Sequence, residues 1–202
     1  YAATDQGYTM PFGQSTEGDT VAERQATITA AIKAKDSTID LITFSPKNAG
    51  VKFTLGYGNV TTGQFGNSDD TSAESRVYQE ALIPQKLGNR FYLTHRFRYE
   101  QRFVEDQDFR TRYRYNLFLN VPLNKNELAP KGIYAALYNE LFINGGTDIG
   151  DGREVELFDR NRTYLGLGYV LNSSIRFQLG WMNQKTVNWG KGQLQFSMHH
   201  KI

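Results

Sequence analysis

The sequence predicts an all-β protein, namely a transmembrane, antiparallel, up-and-down β-barrel with a polar, arginine-rich lumen. Apolar and polar residues alternate with a period of two, the period of a β-strand, most clearly across residues 89–123. Two predicted strands in this stretch are about fifteen residues long, well above the usual five or six. One of their faces is aromatic and the other carries arginines, as expected where lipid covers one face and a polar lumen the other.

This long hairpin organises the rest of the chain. Its apolar face holds Phe91, Leu93, Phe97, Tyr99, Phe103, Phe109, Tyr113, Tyr115, Leu117, Leu119 and Val121. Its polar face holds Arg96, Arg98, Glu100, Arg102, Arg110, Arg112 and Arg114. The hairpin therefore predicts a sheet with one apolar face and one positively charged face.

The N-terminal part is predicted to be a tail or short plug at residues 1–20, with the barrel at residues 21–202. A capping box at Thr20 and Glu23 would begin a helix. Alternation across residues 20–34 instead predicts a strand, which we favour because it keeps the strand number even. Further strands are predicted at residues 39–45, 51–58 and 74–84, with a long polar loop at residues 59–73.

Four more strands are predicted after the hairpin, at residues 132–143, 160–171, 175–184 and 193–202. The connections alternate in length along the chain. Long ones at 59–73, 144–154 and 185–191 fall on one side, and short ones at 46–50, 85–88 and 172–173 fall on the other. The connection at 124–131 does not fit this pattern, because it is long but falls on the side of the short connections. Bacterial outer-membrane barrels have even strand numbers and periplasmic termini, so we expect about ten strands, with eight or twelve as alternatives.

Composition narrows the function classes. A net charge of +2 gives no support for a nucleic-acid partner. Cysteine is absent, which excludes disulfides and thiolate metal sites. The mean hydropathy of −0.55 does not argue against a membrane barrel, because lumen-facing residues average the apolar signal away. No apolar run reaches eighteen residues, so the sequence predicts no transmembrane helix.

The predicted lumen is dominated by arginine. The residues expected to face inward with charge are Arg76, Glu80, Arg96, Arg98, Glu100, Arg102, Arg110, Arg112, Arg114, Glu140, Arg160, Arg162 and Arg176. Ten arginines minus three glutamates leave an excess of seven positive charges. Arginine and carboxylate forks could staple facing strands together and nearly close the lumen. Alternatively, the remaining guanidinium groups would form a narrow anion-selective passage for small acidic solutes or oligosaccharides.

Enzyme and metal sites have weaker support in the sequence. Ser197 and His199 share a face of the last strand, and Glu140 could supply the acid of a hydrolase triad. Chance combinations of serine, histidine and an acid are common in sequences, so this signal is weak. Asp148, Asp151 and Asp159 have no calcium-loop spacing. We therefore expect no catalytic residue, no metal and no cofactor.

A soluble barrel or sandwich with the apolar face inside is the main alternative to a membrane barrel. The lengths of the strands and the like charges at Arg110, Arg112 and Arg114 argue against it. Asn139 is the main difficulty for the barrel, because alternation turns its amide toward lipid unless a bulge or a partner protein is present. Gln79, Gln101 and His95 raise the same question.

Five motifs occur in an order that resembles a known family. They are RFYLTHRFRYEQR at Arg90–Arg102, RYRYNL at Arg112–Leu117, YNELF at Tyr138–Phe142, FDRNRTYLGLG at Phe158–Gly168 and LGWMNQ from Leu179. Together they resemble domain of unknown function 2490, a bacterial family thought to be outer-membrane barrels. The resemblance covers about residues 51–200 and implies a membrane location, but it implies no substrate and no catalytic residue.

We therefore expect a structural or accessory barrel of the bacterial outer membrane, with both termini in the periplasm. Its expected partners are the lipid bilayer, other envelope proteins and small anions. A barrel hydrolase is the third hypothesis, after the anion passage.

Overall fold

The protein is a strand-rich chain whose described residues contain no helix. A computed structural model describes residues 26–34, 37–46, 50–63 and 71–200. The strands are β1 (Ala26–Ala34), β2 (Ser37–Phe44), β3 (Lys52–Gly63), β4 (Thr71–Leu87), β5 (Phe91–Val104), β6 (Arg110–Pro122), β7 (Gly132–Asn144), β8 (Phe158–Val170), β9 (Ile175–Lys185) and β10 (Gly190–His200). In these ranges, no helix is long and apolar enough to cross a membrane.

All the strands belong to one sheet, in which each strand is hydrogen-bonded to its neighbours in sequence. The pairings of β1 with β2, β2 with β3, β7 with β8, β8 with β9 and β9 with β10 are antiparallel. The prediction of an all-β, antiparallel, up-and-down sheet is therefore confirmed. Within the described ranges the sheet does not close on itself, so the closed barrel and its strand number stay predictions.

Strand boundaries differ from the predicted ones mainly in the N-terminal half. Residues 26–34 form β1, so the helix alternative is wrong there. The loop predicted at 59–73 is also wrong in extent, because β3 continues to Gly63 and β4 begins at Thr71. Polar residues such as Thr61 and Thr62 can occupy a strand when cross-strand pairing satisfies their backbone. The predicted tail or plug at residues 1–20 lies outside the described part of the chain.

The chain divides into two compact units. Unit 1 comprises Tyr1–Ala81, Arg98–Tyr113 and Asn144–Leu157, and unit 2 comprises Leu82–Phe97, Arg114–Ile143 and Phe158–Ile202. In unit 1, the connection after β7 carries an isolated bridge between Asp148 and Glu154. Its Ile149 is buried, and the carbonyl of Ile149 accepts a hydrogen bond from the backbone of Asp108 (2.9 Å). The connections after β5 and β7 are thus joined by backbone hydrogen bonds.

Unit 2 has its own buried cluster, which contains two tyrosines and which we call the tyrosine cluster. Its members are Tyr134, Ala136, Tyr164, Val170 and Met182, with Leu128 and Tyr138 packed against it. The tyrosine rings lie over glycines of neighbouring strands. A Cβ atom on Gly168 would lie 2.1 Å from Cζ of Tyr134, so only glycine leaves room for that ring.

Exposure alternates along the strands in the opposite sense to that of a water-soluble protein. In β8, Leu165 and Leu167 are 63% and 59% exposed, whereas Tyr164, Gly166 and Gly168 between and beside them are buried. In β5 the apolar Phe91, Phe97 and Phe103 are exposed while the charged side chains between them are buried. The described sheet therefore buries its polar face and exposes its apolar face.

Candidate functional site: the buried ion-pair face

Charged side chains are among the most deeply buried groups of the protein. Glu100 is 0% exposed and Glu140 is 2% exposed, and Arg96, Arg112 and Arg114 are each 4% exposed or less. Burial of an isolated charge is costly, and such groups persist only when they are paired and hydrogen-bonded. The pattern of pairs therefore decides what this face can do.

In unit 1, Glu74 of β4 holds two arginines. Arg102 of β5 binds it in a two-pronged arrangement, with Nε 2.7 Å from Oε1 and Nη2 2.8 Å from Oε2. Arg76 lies 3.1 Å from the same Oε1. The bidentate geometry matches the planar fork of guanidinium and fixes β4 and β5 to each other.

A second chain of pairs in unit 1 crosses three strands. Arg98 of β5 donates to Glu80 of β4 (2.7 Å), and its guanidinium lies 4.2 Å from the ring centre of Tyr78. Arg112 of β6 donates to Glu100 of β5 (2.7 Å), and Arg98 is 3.7 Å from the other oxygen of Glu100. The pairs thus link β4, β5 and β6 through side chains as well as backbone.

In unit 2, one carboxylate oxygen binds two arginines from two strands. Oε1 of Glu140 on β7 accepts from Nη2 of Arg96 on β5 (2.7 Å). The same oxygen accepts from Nε (2.8 Å) and Nη2 (2.6 Å) of Arg114 on β6. Because all three side chains are buried, loss of this carboxylate would leave two positive charges in a region of low dielectric.

Three guanidinium groups lie around the buried ring of Phe142, two residues after Glu140 in the chain. Their central carbons lie 4.4 Å (Arg114), 5.0 Å (Arg162) and 5.8 Å (Arg160) from the ring centre, within the range of cation–π attraction. Nε of Arg162 donates to the amide oxygen of Gln184 (2.7 Å). The ring thus holds several like charges close together on its faces.

The predicted inward residues lie on the buried face to different degrees. Arg96, Arg98, Arg102, Arg112, Arg114, Glu100 and Glu140 are buried, and Arg76, Glu80, Arg110, Arg160, Arg162 and Arg176 are partly buried. Ion pairs join all three predicted glutamates and most of the predicted arginines to a partner of opposite charge. The prediction omitted two acids of this face, Glu74 and Asp159. Glu74 could have been found, because it has the same strand parity as Arg76.

Asp159 could not have been found by alternation, because a bulge changes its direction. Arg160 opposes Phe142 and Phe158 opposes Ile143, so Asp159 is the extra residue at the register shift between them. Its carboxylate oxygens lie 3.1 Å and 3.2 Å from Nη2 and Nε of Arg160. With Glu74 and Asp159 included, the predicted excess of seven positive charges falls to five.

The connection at 124–131, too long for its predicted side, covers the tyrosine cluster of unit 2. Leu128 packs against that cluster. The backbone N–H of Lys131 donates to the carbonyl of Val170 (2.7 Å), and that of Gly132 donates to Ala129 (3.0 Å). The extra length is therefore used to pack an apolar side chain over the ends of β7 and β8.

Asn139 is exposed on the apolar face, as alternation predicts, and the register around it is regular. Its Nδ2 donates to Oδ1 of Asn161 (2.9 Å) and Oγ1 of Thr163 (2.9 Å), and Nδ2 of Asn161 donates back to Oδ1 of Asn139 (3.1 Å). His95 is satisfied similarly by Tyr115 (2.9 Å) and Gln85 (3.3 Å). Neither a bulge nor a partner protein is therefore needed to give the Asn139 amide hydrogen bonds.

The hydrolase and calcium candidates are not assembled. Nε2 of His199 is buried without a hydrogen bond, and Glu140 is bound by arginines rather than by histidine. Asp148 caps the backbone of Gly150 (2.9 Å). Within the described ranges, no group of three His, Asp or Glu residues is placed to hold a metal ion.

Comparison with known proteins identifies a family but no function. The model of the family described as Protein of unknown function (DUF2490) matches residues 41–195. No curated protein and no solved structure matches the chain.

Proposed function

Since the chain belongs to the DUF2490 family of proteins of unknown function, we propose from its geometry that it is an integral β-barrel of the bacterial outer membrane. In this proposal the sheet closes with about ten strands and both termini lie in the periplasm. The buried charged face lines the lumen, and the exposed apolar face contacts lipid. The protein serves as a structural or accessory barrel that is stapled shut by its arginines.

The exposed apolar face is the observation that carries the membrane location. Leu165, Leu194 and Phe196 are 63%, 69% and 67% exposed, and further leucines, phenylalanines and tryptophans share this face. Monomeric soluble proteins rarely expose continuous apolar surface of this kind. Lipid removes the cost of that exposure, and the arginine pairs satisfy the face that lipid does not reach.

The ion pairs and the tyrosine cluster support a sealed lumen. Glu74, Glu80, Glu100 and Glu140 each bind at least one arginine of another strand. In unit 2, buried rings and Leu128 occupy the end of the polar face where β7 and β8 meet their connections. A barrel filled in this way has little room for solute.

Localisation and folding state test the membrane proposal. We expect the full chain to sediment with outer-membrane fragments and to migrate faster in unheated than in heated gel samples, because the folded barrel resists detergent. Recovery in the soluble fraction, with one mobility in both samples, would contradict the proposal.

Conductance in a planar bilayer tests the sealed lumen. We expect the folded wild-type barrel to show no steady openings. We expect a Tyr134→Ala/Tyr164→Ala variant that retains heat-modifiable mobility to show them, because two large rings are removed from the cluster. Steady wild-type openings would contradict the sealed lumen and favour the second candidate.

That second candidate is a narrow anion-selective passage. It is favoured by the convergence of Arg114, Arg160 and Arg162 at Phe142, since clustered guanidinium groups attract carboxylate, sulfate and phosphate. If wild-type openings occur, their reversal potential under a salt gradient should indicate anion selectivity. Arg160→Gln/Arg162→Gln should then reduce that selectivity, and an unchanged reversal potential would contradict the assignment.

A further inference from the structure

Four exposed cations lie in or directly beside the connections after β4 and β6 of unit 2, together with one exposed carboxylate, Glu127. The cations are Lys86 at the end of β4, Arg90, Lys125 and Lys131, which we call the basic turn patch. Nη2 of Arg90 donates to the carbonyl of Pro122 (2.6 Å), which joins the connection after β4 to the end of β6. The patch is therefore a single surface rather than two separate turns.

Backbone and ring contacts position these cations. Nζ of Lys125 donates to the carbonyl of Pro130 (2.6 Å), and Nζ of Lys86 lies 5.0 Å from the ring centre of Tyr92. In the described part of the chain, no ion pair joins a carboxylate to the patch. A lysine ammonium has three donors, so one carbonyl contact leaves Lys125 able to bind a further acceptor.

Exposed apolar side chains lie directly beside the patch in the sequence. Leu87, Phe91 and Leu123 are 47%, 49% and 50% exposed, and they are adjacent to or within two residues of Lys86, Arg90 and Lys125. Cations at the border of an apolar surface are typical of a membrane interface, where the chains reach the headgroups and the apolar groups enter the acyl region.

The exposed connections of unit 1 have the opposite charge. They carry Glu105, Asp106, Asp108, Asp148, Asp151, Glu154 and Glu156, with Arg153 as their exposed cation. An anionic surface would be repelled there and attracted at the basic turn patch. The connections of unit 1 therefore disfavour an anionic surface, and the basic turn patch of unit 2 favours one.

We propose that the basic turn patch binds the phosphate groups of anionic phospholipids in the membrane leaflet that meets these connections. The inference rests on the proposed membrane function and adds the lipid class that one end of the barrel prefers. Lys86 and Lys125 contact the phosphates, while Leu87, Phe91 and Leu123 contact the acyl chains. A juxtamembrane cation contributes about fivefold to association with an anionic surface.

Spin-labelled lipids test this preference in the reconstituted full chain. Phosphatidylglycerol and phosphatidylcholine labels are compared at trace level in phosphatidylcholine bilayers, and electron paramagnetic resonance gives the ratio of their association constants. We expect the ratio to exceed one for the wild type and to fall by about fivefold or more in Lys86→Gln/Lys125→Gln. Added salt should lower the wild-type ratio, because the contacts are exposed.

Lys185→Gln/Lys191→Gln is the matched control, because it removes two exposed lysines from the paired ends of β9 and β10 in unit 2, outside the basic turn patch. We expect it to keep most of the wild-type ratio. An equal fall in both variants, or a wild-type ratio of one in a folded barrel, would overturn the patch assignment and leave the membrane proposal intact. Failure of the wild type to fold in any bilayer would overturn both.

Discussion

Glu140 is the carboxylate shared by two buried arginines of unit 2. Its Oε1 atom accepts hydrogen bonds from both Arg96 and Arg114, and its side chain is 3% exposed. Replacing one member of a buried charge cluster leaves the others uncompensated. Glu140→Gln should therefore lower the free energy of unfolding by about 3 kcal/mol.

Urea unfolding of the reconstituted protein, followed by gel mobility or tryptophan fluorescence, measures this loss. Glu127→Gln is the control, because Glu127 is exposed in the connection at 124–131, and its effect should stay within about 0.5 kcal/mol. Equal unfolding midpoints for Glu140→Gln and the control would show that the carboxylate is not needed by its arginines.

Asn139 and Asn161 form a different kind of contact, a pair of amide hydrogen bonds on the exposed apolar face. Asn139→Leu should destabilise the protein by about 1 kcal/mol, because it removes the two mutual amide hydrogen bonds and leaves Asn161 only the Glu140 carbonyl and the Thr163 hydroxyl as partners. Asn139→Leu/Asn161→Leu should recover most of that loss, since both polar groups are then removed. A double-mutant cycle measures the coupling, and additive losses would contradict the pairing as the reason for the first effect.

At the scale of strands, glycine and tyrosine determine how closely β7 and β8 can pack. Gly168→Ala would place a methyl group against the Tyr134 ring, and overpacking of this kind costs about 1–3 kcal/mol. Tyr134→Leu should partly rescue Gly168→Ala in the double variant. Gly146→Ala, where no atom lies within 4 Å of the added Cβ, is the control and should unfold at the wild-type midpoint.

The strands also show what sequence patterns could and could not predict. Alternation predicted β5 and β6 to within two residues, because their charged side chains recur at every second position and are buried or partly buried while the phenylalanines on the opposite face are exposed. It failed at Asp159, where a bulge adds a residue, and at residues 59–63, where polar side chains hide the continuation of β3. The packing role of the connection at 124–131 was also missed, because Leu128 contacts residues of the tyrosine cluster that are distant in sequence. Local sequence patterns carry no information on such contacts.

The ion pairs were predictable in kind but not in detail. The arginines and glutamates were recognised by strand parity, whereas the sharing of Glu140 by Arg96 and Arg114 requires the relative register of β5, β6 and β7. The stacking of three guanidinium groups on Phe142 has the same origin. Strand parity therefore predicts which face of the sheet a side chain lies on, but it does not predict which residue the side chain binds.

For the whole molecule, the exposed apolar surface offers a test of the proposed lipid environment against an aqueous one. Leu165 is 63% exposed, and a soluble protein would tolerate arginine there with little change. In a bilayer, Leu165→Arg should lower stability by about 2–4 kcal/mol, because a lipid-facing charge near the midplane is costly. Thr147→Arg, in the exposed connection after β7, should unfold like the wild type, and equal stability of both variants would favour a soluble fold.

The position of Glu140 in the chain has a consequence for biogenesis. If the chain is an outer-membrane barrel, as proposed, Arg96 and Arg114 reach the periplasm before their shared carboxylate, which lies 44 and 26 residues further on. A nascent sheet that ends at β6 would bring two guanidinium groups to the membrane without the acid that neutralises them. In that case the hairpin of β5 and β6, which has the most arginines, is expected to insert into the bilayer only together with β7.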